Sequence, residues 1–535
     1  MRFIAMCAAV CAAACSPTPT PNPPLDSGTL PDAGGTNDAG NTPRCGDGIT
    51  PDAGIAFTTT GAVLGTTTGD VTRWLGIPYA RAPRFRPPEP QPCWPDLKAT
   101  TSFGPRCPQL DDDGGTVLGA EECLTLNVWS KRPTSPAPIL FFIHGGGNTV
   151  GSSSEPYADG HDLADRHGAV VVTINYRLGA LGFFAHAQLN AESDAGVSGN
   201  WGILDQQLAL RWVRDNAAAF GGDPTRVLVF GESAGAQNTM IHLVSPASKG
   251  LFTAALVESG GAYKTTLAET ITQQQAVVAG AGCGSAADPL ACMRAAPVDT
   301  LVRVPTAIGP LERGVRYGPN VDGVVVPGQV EELISQGRHN HVPFIIGTNS
   351  DETSRMVPAV PDEMAYQQAV RAQFGLALGN QVLAQYPASR FTTPRQALIA
   401  VTTDAVWTCS SRRIARKVAA NQTEPTFRYF FTWRPPGLAG TAFGATHGLE
   451  LAFVFRSFSA FGAYVPDATA STLSDHVQSY WSNLAGGGDP NGGAAPTWPR
   501  FPTDGGENAM ELGATTQALP GVRSADCDFW DALMP

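Results

Sequence analysis

The sequence predicts an α/β protein with a mostly parallel central sheet and helices on both faces. Three observations carry this. First, five short apolar runs, ILFFI (139–143), AVVVTINY (169–176), VLVF (227–230), TAALVES (253–259) and HVPFIIGTN (341–349), do not alternate with polar residues. Strands covered on both faces read this way. Second, residues 205–222, between the second and third runs, read as a helix. Leu204, Leu208 and Trp212 recur every fourth residue, Val213 and Phe220 widen the same side, and Gly221-Gly222 with Asp223-Pro224 close it. Third, VLVF passes directly into Gly231-Glu232-Ser233-Ala234-Gly235, and Ala234 to Leu243 reads as the start of a helix. Strands alternating with helices build a parallel sheet, and its chemistry collects outside the carboxyl ends of the strands.

The N-terminal residues stand apart from this pattern. Met1-Arg2 is a short basic start, and Phe3–Ala14 is an apolar stretch too short to span a bilayer. Residues 1–14 are therefore expected to be a signal peptide. Ala12-Ala13-Ala14-Cys15 followed by SPTPTPNPP resembles a bacterial lipoprotein signal. In that reading Cys15 is lipidated and becomes the first mature residue. Ala12 stands where leucine is commoner, and ordinary secretory cleavage after Ala-x-Ala is the alternative. Either way the protein is expected to leave the cytoplasm, as a cell-surface or periplasmic-side lipoprotein or in secreted form. Residues 15–54 are Pro, Thr, Asp, Gly and Asn with almost no large apolar side chain, and PDAG recurs at 31–34 and 51–54. They read as a disordered tether. Their aspartates lack the ligand spacing and terminal glutamate of a calcium loop.

Residues 55–535 have globular composition with no second linker, so a single catalytic domain is expected. The formal charge is −12 without a basic cluster, which argues against nucleic acid as a partner. Cys7, Cys11 and Cys15 belong to the signal. Cys45, Cys93, Cys107, Cys123, Cys283, Cys292, Cys409 and Cys527 remain. An even number in an exported chain favours disulfides. None forms a CxxC pair, so no zinc site is read. Cys283 and Cys292 enclose a short loop and form the readiest local bridge.

The motifs then follow in chain order. ILFFI runs into His144-Gly145-Gly146-Gly147-Asn148, whose glycines leave backbone N–H groups free to meet a ligand. Two of them, with that of Ala234, would hold the charge that builds on an ester carbonyl oxygen. His144 and Asn148 are expected to shape the loop. GESAG between a strand and a helix places Ser233 on a strained turn, with small residues on either side so that strand and helix pass closely. If the order is serine, acid, histidine, as in the α/β-hydrolase arrangement, only His447 and His476 follow the acid region. His447 lies between Gly444 and Gly448 on a loop, whereas His476 reads as one face of a helix. Asp351 and Glu352 both follow the strand at 341–349, and spacing does not choose between them. Asp351 fits a helix N-cap, with Glu352 turned inward.

Together these motifs resemble the type B carboxylesterases, the α/β-hydrolase family that includes cholinesterases and the larger fungal lipases. The resemblance runs from about residue 57 to the C-terminus. It rests on WLGIPYARAPRFRPPEP (74–90), EECLTLNVW (121–129), HGGG (144–147), NYRLGALGFF (175–184), NWGILDQQLALRWVRDNAAAFGGDP (200–224), GESAG (231–235), ESGG (258–261), GTNSDE (347–352) and GATHGLELAFVF (444–455). It implies Ser233 as nucleophile, Glu352 as acid, His447 as base, and Gly146, Gly147 and Ala234 as oxyanion donors. It further implies Glu232 as a buried tuning carboxylate, Ser259 as a hydrogen-bonding neighbour of the triad, and the pairs Cys107–Cys123 and Cys283–Cys292. Cys409–Cys527 and Cys45–Cys93 are the pairs left over. The short Cys107–Cys123 loop lacks a counterpart of the cholinesterase choline-binding tryptophan, which argues against a specific acetylcholinesterase.

The expected function is a serine hydrolase that cleaves carboxylic esters of short to medium acyl chains and varied alcohols through an acyl-enzyme. The alternatives are a lipase for long-chain acylglycerols and a catalytically inactive binding member. No metal or organic cofactor is implied. The expected partner is a small-molecule ester, with a lipid anchor to a membrane if Cys15 is acylated; nothing in the sequence sets the oligomeric state. Phe183, Phe184, Trp407, Phe453 and Phe455 are candidates for lining an acyl or alcohol site, and core packing competes for each.

Overall fold

A computed structural model describes Cys45 and then residues 49–533, except 51, 53, 112, 113, 134, 263, 308–311, 313, 462 and 463. The signal, the lipidation position Cys15 and nearly all of the tether lie outside the described residues. Cys45–Pro535 forms one compact unit.

Its centre is an eleven-stranded sheet. In chain order the strands are β1 (Thr66–Thr68), β2 (Val71–Pro78), β3 (Thr125–Ser130), β4 (Ala137–Ile143), β5 (Val170–Ile174), β6 (Gly222–Glu232), β7 (Ala254–Glu258), β8 (Phe344–Asn349), β9 (Thr426–Phe431), β10 (Ala509–Leu512) and β11 (Thr516–Leu519). Their spatial order is β11-β10-β9-β8-β7-β6-β4-β5-β3-β2-β1. Strands β4 through β10 pair in parallel, and antiparallel pairs close both edges. All five predicted runs form strands of the parallel centre. Their residues split between two large apolar clusters, with Phe141, Ile143 and Val229 facing one and Leu140, Phe142 and Phe230 the other. A side-chain period of two explains why runs apolar at every position suit a sheet covered on both faces.

The predicted helix is α1, Trp201–Asn216, continued by a 3-10 turn to Phe220 and ended by Gly221 at φ 76°. Trp212, Val213 and Phe220 of the predicted apolar side are buried in the core, and Leu204 and Leu208 pack against it. Leu204 and Leu208 are only partly buried, while Asp205, Gln206 and Gln207 are fully so. Each of these side chains has a partner inside, although Gln206 Nε2 has none among the described residues. Asp205 pairs with Arg177 at 2.7 Å, Gln206 Oε1 lies 2.9 Å from His242 Nε2, and Gln207 donates to Ser245 and Ser248. A satisfied polar group can be buried where an apolar count would leave it outside.

Four disulfides join Cys45–Cys93, Cys107–Cys123, Cys283–Cys292 and Cys409–Cys527. The last ties α2 (Cys409–Asn421) to the C-terminal helix Ser524–Leu533. Such bridges suit an exported protein. Among the described residues, no helix is long and apolar enough to cross a membrane.

Candidate active site

Strand β6 ends at Glu232, and the helix Ala234–Val244 starts two residues later. Ser233 alone makes the turn, at φ 57° and ψ −119°. A non-glycine residue in that region is strained, and the strain is retained only where the surroundings enforce it. The flanking glycines are part of that enforcement. A Cβ on Gly235 would stand 2.0 Å from the Ile143 carbonyl oxygen, and one on Gly231 would stand 2.5 Å from the Gly235 carbonyl carbon. The small residues expected around Ser233 are thus required by close passage of β4, β6 and the helix.

The glycine loop follows β4. Gly146 and Gly147 have φ of 103° and 62°. A Cβ on Gly146 would lie 2.2 Å from the Val150 carbonyl oxygen, and one on Gly145 would lie 3.0 Å from Ser233 Cβ. Among the described residues, the N–H groups of Gly146, Gly147 and Ala234 donate to no protein acceptor. Gly147, Ser233 and Ala234 line one cavity of about 130 Å³. Free backbone donors around a strained serine are the arrangement an oxyanion needs. His144 is buried, stacked on Tyr176 at 4.5 Å, and lies 2.8 Å from the Gly145 carbonyl through Nδ1. Burial lowers its pKa to about 4, so it remains neutral and shapes the loop. Asn148 accepts a hydrogen bond from Asn238 at 2.9 Å, also a structural contact.

Glu352 is fully buried beyond the end of β8. It accepts from His447 Nδ1 at 2.5 Å, from Ser259 Oγ at 2.6 Å and from the Asn349 N–H at 2.7 Å. Asp351 does something else. It makes no side-chain cap on the following turn. Its carboxylate accepts from the Ala445 N–H at 3.0 Å and pairs with Arg434 at 3.1 Å. Asn349 Nδ2 also donates to the Thr446 carbonyl at 2.8 Å. The residues after β8 therefore both clamp the loop that carries His447 and receive its imidazole. His476 sits on a helix with Nδ1 3.0 Å from Thr516 Oγ1 and has no part in this arrangement.

The other imidazole nitrogen, Nε2, lies 3.1 Å from Glu232 Oε1, out of hydrogen-bond alignment. Among the described residues, Ser233 Oγ makes no hydrogen bond to His447. Burial by itself would lower the His447 pKa, but the Glu232 and Glu352 carboxylates outweigh it and raise it. Burial, with a contribution from Glu352, raises that of Glu232. Trp407 covers the pair, its ring 5.2 Å from the imidazole, and also lines the Ser233 cavity. Phe183, Phe184 and Phe455 pack in the core instead.

A family model described as "Carboxylesterase family" matches residues 52–530. The chain belongs to the carboxylesterase family. Cocaine esterase of Oryctolagus cuniculus is 34% identical over 508 residues, covering 87% of this chain and 92% of its own. Carboxylesterase 1D of Rattus norvegicus is 32% identical, covering 86% and 89%. Fumonisin B1 esterase of Sphingopyxis macrogoltabida is 34% identical, covering 81% and 82%. A solved pNB esterase superposes with TM-score 0.76 at 31% identity, covering 89% of this chain and 99% of its own. The fold is that of the α/β-hydrolases, and the protein is a carboxylic ester hydrolase.

Two further carboxylates of this carboxylesterase were not singled out from the sequence. Glu258 and Glu450 are buried beside Glu232 and Glu352. Trp481 Nε1 donates to Glu258 at 2.8 Å, and Asn349 Nδ2 donates to Glu450. Burial raises both pKa values, holding these groups toward the neutral form. The available signal was their place inside ESGG and three residues after His447.

Proposed function

We propose that Ser233, His447 and Glu352 act as nucleophile, base and acid on esters of short to medium acyl chains with varied alcohols, within one catalytic domain. The observation that carries this reading is the strained Ser233 beside three undonated N–H groups, with the His447–Glu352 pair at the same end of the sheet. Neutral His447 takes the Ser233 proton as Oγ bonds to the acyl carbon. The N–H groups of Gly146, Gly147 and Ala234 stabilise the oxyanion. His447 then returns the proton to the leaving alcohol, and water attacks the acyl-enzyme by the same route to release the acid. Glu352 holds Nδ1–H throughout, and Ser259 fixes Glu352.

The size of the cavity supports the acyl preference. Ala307, Tyr317, Val406 and Trp407 close the space of about 130 Å³ around Ser233. A second cavity of about 350 Å³, walled by Leu178, Leu181 and Leu301, meets it at Tyr317 and offers room for the alcohol portion. p-Nitrophenyl esters from acetyl to palmitoyl are expected to give their highest kcat/KM at short to medium length. A maximum at long chains, enhanced at an oil interface, would replace this reading with a lipase.

The base has a distinctive electrostatic setting. Two carboxylates favour its protonated form, and activity requires the neutral one. The acidic limb of kcat/KM is therefore expected above the usual histidine range. Glu232→Gln removes one carboxylate, so the limb should move to lower pH. A limb that stays in place, measured over pH 5–10 on one ester, would remove Glu232 from this role.

At the N-terminus the reading is a mature protein that starts at lipid-bearing Cys15, supported by the Ala12-Ala13-Ala14-Cys15 pattern and its polar tether. Intact mass of native protein is expected to show acylated Cys15. An unmodified N-terminus beyond Cys15 would indicate plain secretion.

A further inference from the structure

A cavity of about 270 Å³ touches the loop that carries His447 and shares no lining residue with the one around Ser233. Gly444 and Thr446 form one wall, and Trp433, Phe453, Phe458 and Tyr464 form the others. The rings pack edge to face, with Trp433 4.8 Å from Phe453. Mostly apolar walls with a few convergent polar groups characterise small-molecule sites. Two polar features are present. The Thr446 hydroxyl is buried without a hydrogen-bond partner. Arg355 lines the cavity, lies 5.4 Å over the Phe443 ring and has no carboxylate partner among the described residues.

Arg355 is the one charged residue among the described residues that line the cavity. Arg395 donates to the Ala442 carbonyl at 3.1 Å, and Arg434 pairs with Asp351. These two guanidiniums lie on segments next to the cavity, and the Asp351 and Asp467 carboxylates lie close to the same segments, so Arg355 is the cation placed to meet a ligand. A guanidinium at the rim of an aromatic cavity fits a carboxylate head with an apolar tail. That is the chemical class of the acid an ester hydrolase releases.

We infer that this cavity binds a carboxylate with an apolar tail, and that its occupancy alters turnover through the His447 loop. Binding is independent of the catalytic reading above, whereas the effect on turnover rests on it. Gly444 is the point of transmission, because it also abuts the Asp351 carboxylate that clamps Ala445. A ligand seated on Gly444 and Thr446 presses on the segment that positions the imidazole.

The test is a calorimetric titration of full-length Ser233→Ala protein with octanoate, octanol and octyltrimethylammonium. Octanoate should bind, and the other two should bind more weakly. Arg355→Gln should weaken octanoate by about tenfold or more, the effect of losing one charge-assisted contact. Ala439→Trp, which fills the cavity, should abolish binding. In the enzyme with Ser233 intact, octanoate should change kcat, and Arg355→Gln should remove that change. Octanoate binding equally to Arg355→Gln, binding of the cation as tightly as the carboxylate, or no binding at all would overturn the proposal. A purely competitive effect of octanoate on KM would overturn the coupling to the loop. Fluorophosphonate labelling of Ser233 reports separately on the catalytic reading, so the two can fail independently.

Discussion

Ser233→Ala is expected to lower kcat by about 10⁶, the scale seen when a serine nucleophile is removed from an intact triad. The fold should persist. Ser233 donates its backbone N–H to the Glu258 carbonyl at 2.9 Å, and alanine keeps that bond. Among the described residues its side chain makes no hydrogen bond that the substitution would orphan, so thermal unfolding should move little. The free N–H groups of Gly146, Gly147 and Ala234 also remain. A residual acceleration of about 10³ over water is therefore expected from binding and oxyanion stabilisation. The measurement is kcat on one p-nitrophenyl ester beside fluorophosphonate labelling. Activity within tenfold of the unsubstituted enzyme, with label still incorporated, would mean that another residue carries the attack.

Why this serine could be picked out and other features could not follows from how each is encoded. GESAG encodes a local geometry. Gly231 and Gly235 are forced by contacts that a Cβ would violate, so the sequence records the close passage directly. The central strands are similarly plain, because both of their faces are covered and nearly every residue is apolar. The outer strands β1, β2, β10 and β11 are short or carry polar residues among the apolar ones, so they leave no continuous apolar run to read. Strand β9, TFRYFF, hides behind Arg428, which is buried and donates to the Thr408 carbonyl at 3.0 Å. Asp351 and Glu352 are adjacent, and only the position of the His447 loop separates them. That loop arrives from ninety-five residues away. Glu258 and Glu450 were hidden for the same reason. A buried carboxylate without a cationic partner has no local signature, and the Trp481 that serves Glu258 lies 223 residues away.

Glu352→Gln is the second large effect, and it tests the geometry of the acid. Three donors converge on this carboxylate: His447 Nδ1–H, Ser259 Oγ–H and the Asn349 N–H. A glutamine has one acceptor oxygen and an NH₂ group that can only donate. Its NH₂ must face either Ser259 and Asn349 or the imidazole. In the second case it favours the tautomer with the proton on Nε2, where the base cannot accept from Ser233. The corresponding change in a serine protease triad lowers kcat by about 10⁴ with the geometry kept, and that magnitude is expected here. The unsatisfied donors should also cost about 1–3 kcal/mol of stability. Asp351→Asn keeps an acceptor for the Ala445 N–H and weakens the Arg434 pair. Its effect on kcat should be far smaller, and comparison of the two variants decides between the adjacent acids. In the double variant Ser233→Ala, Glu352→Gln, kcat should match Ser233→Ala alone, because Glu352 acts only through a base that then has no nucleophile to serve. Additive losses would mean that Glu352 supports the folded site by a route separate from His447.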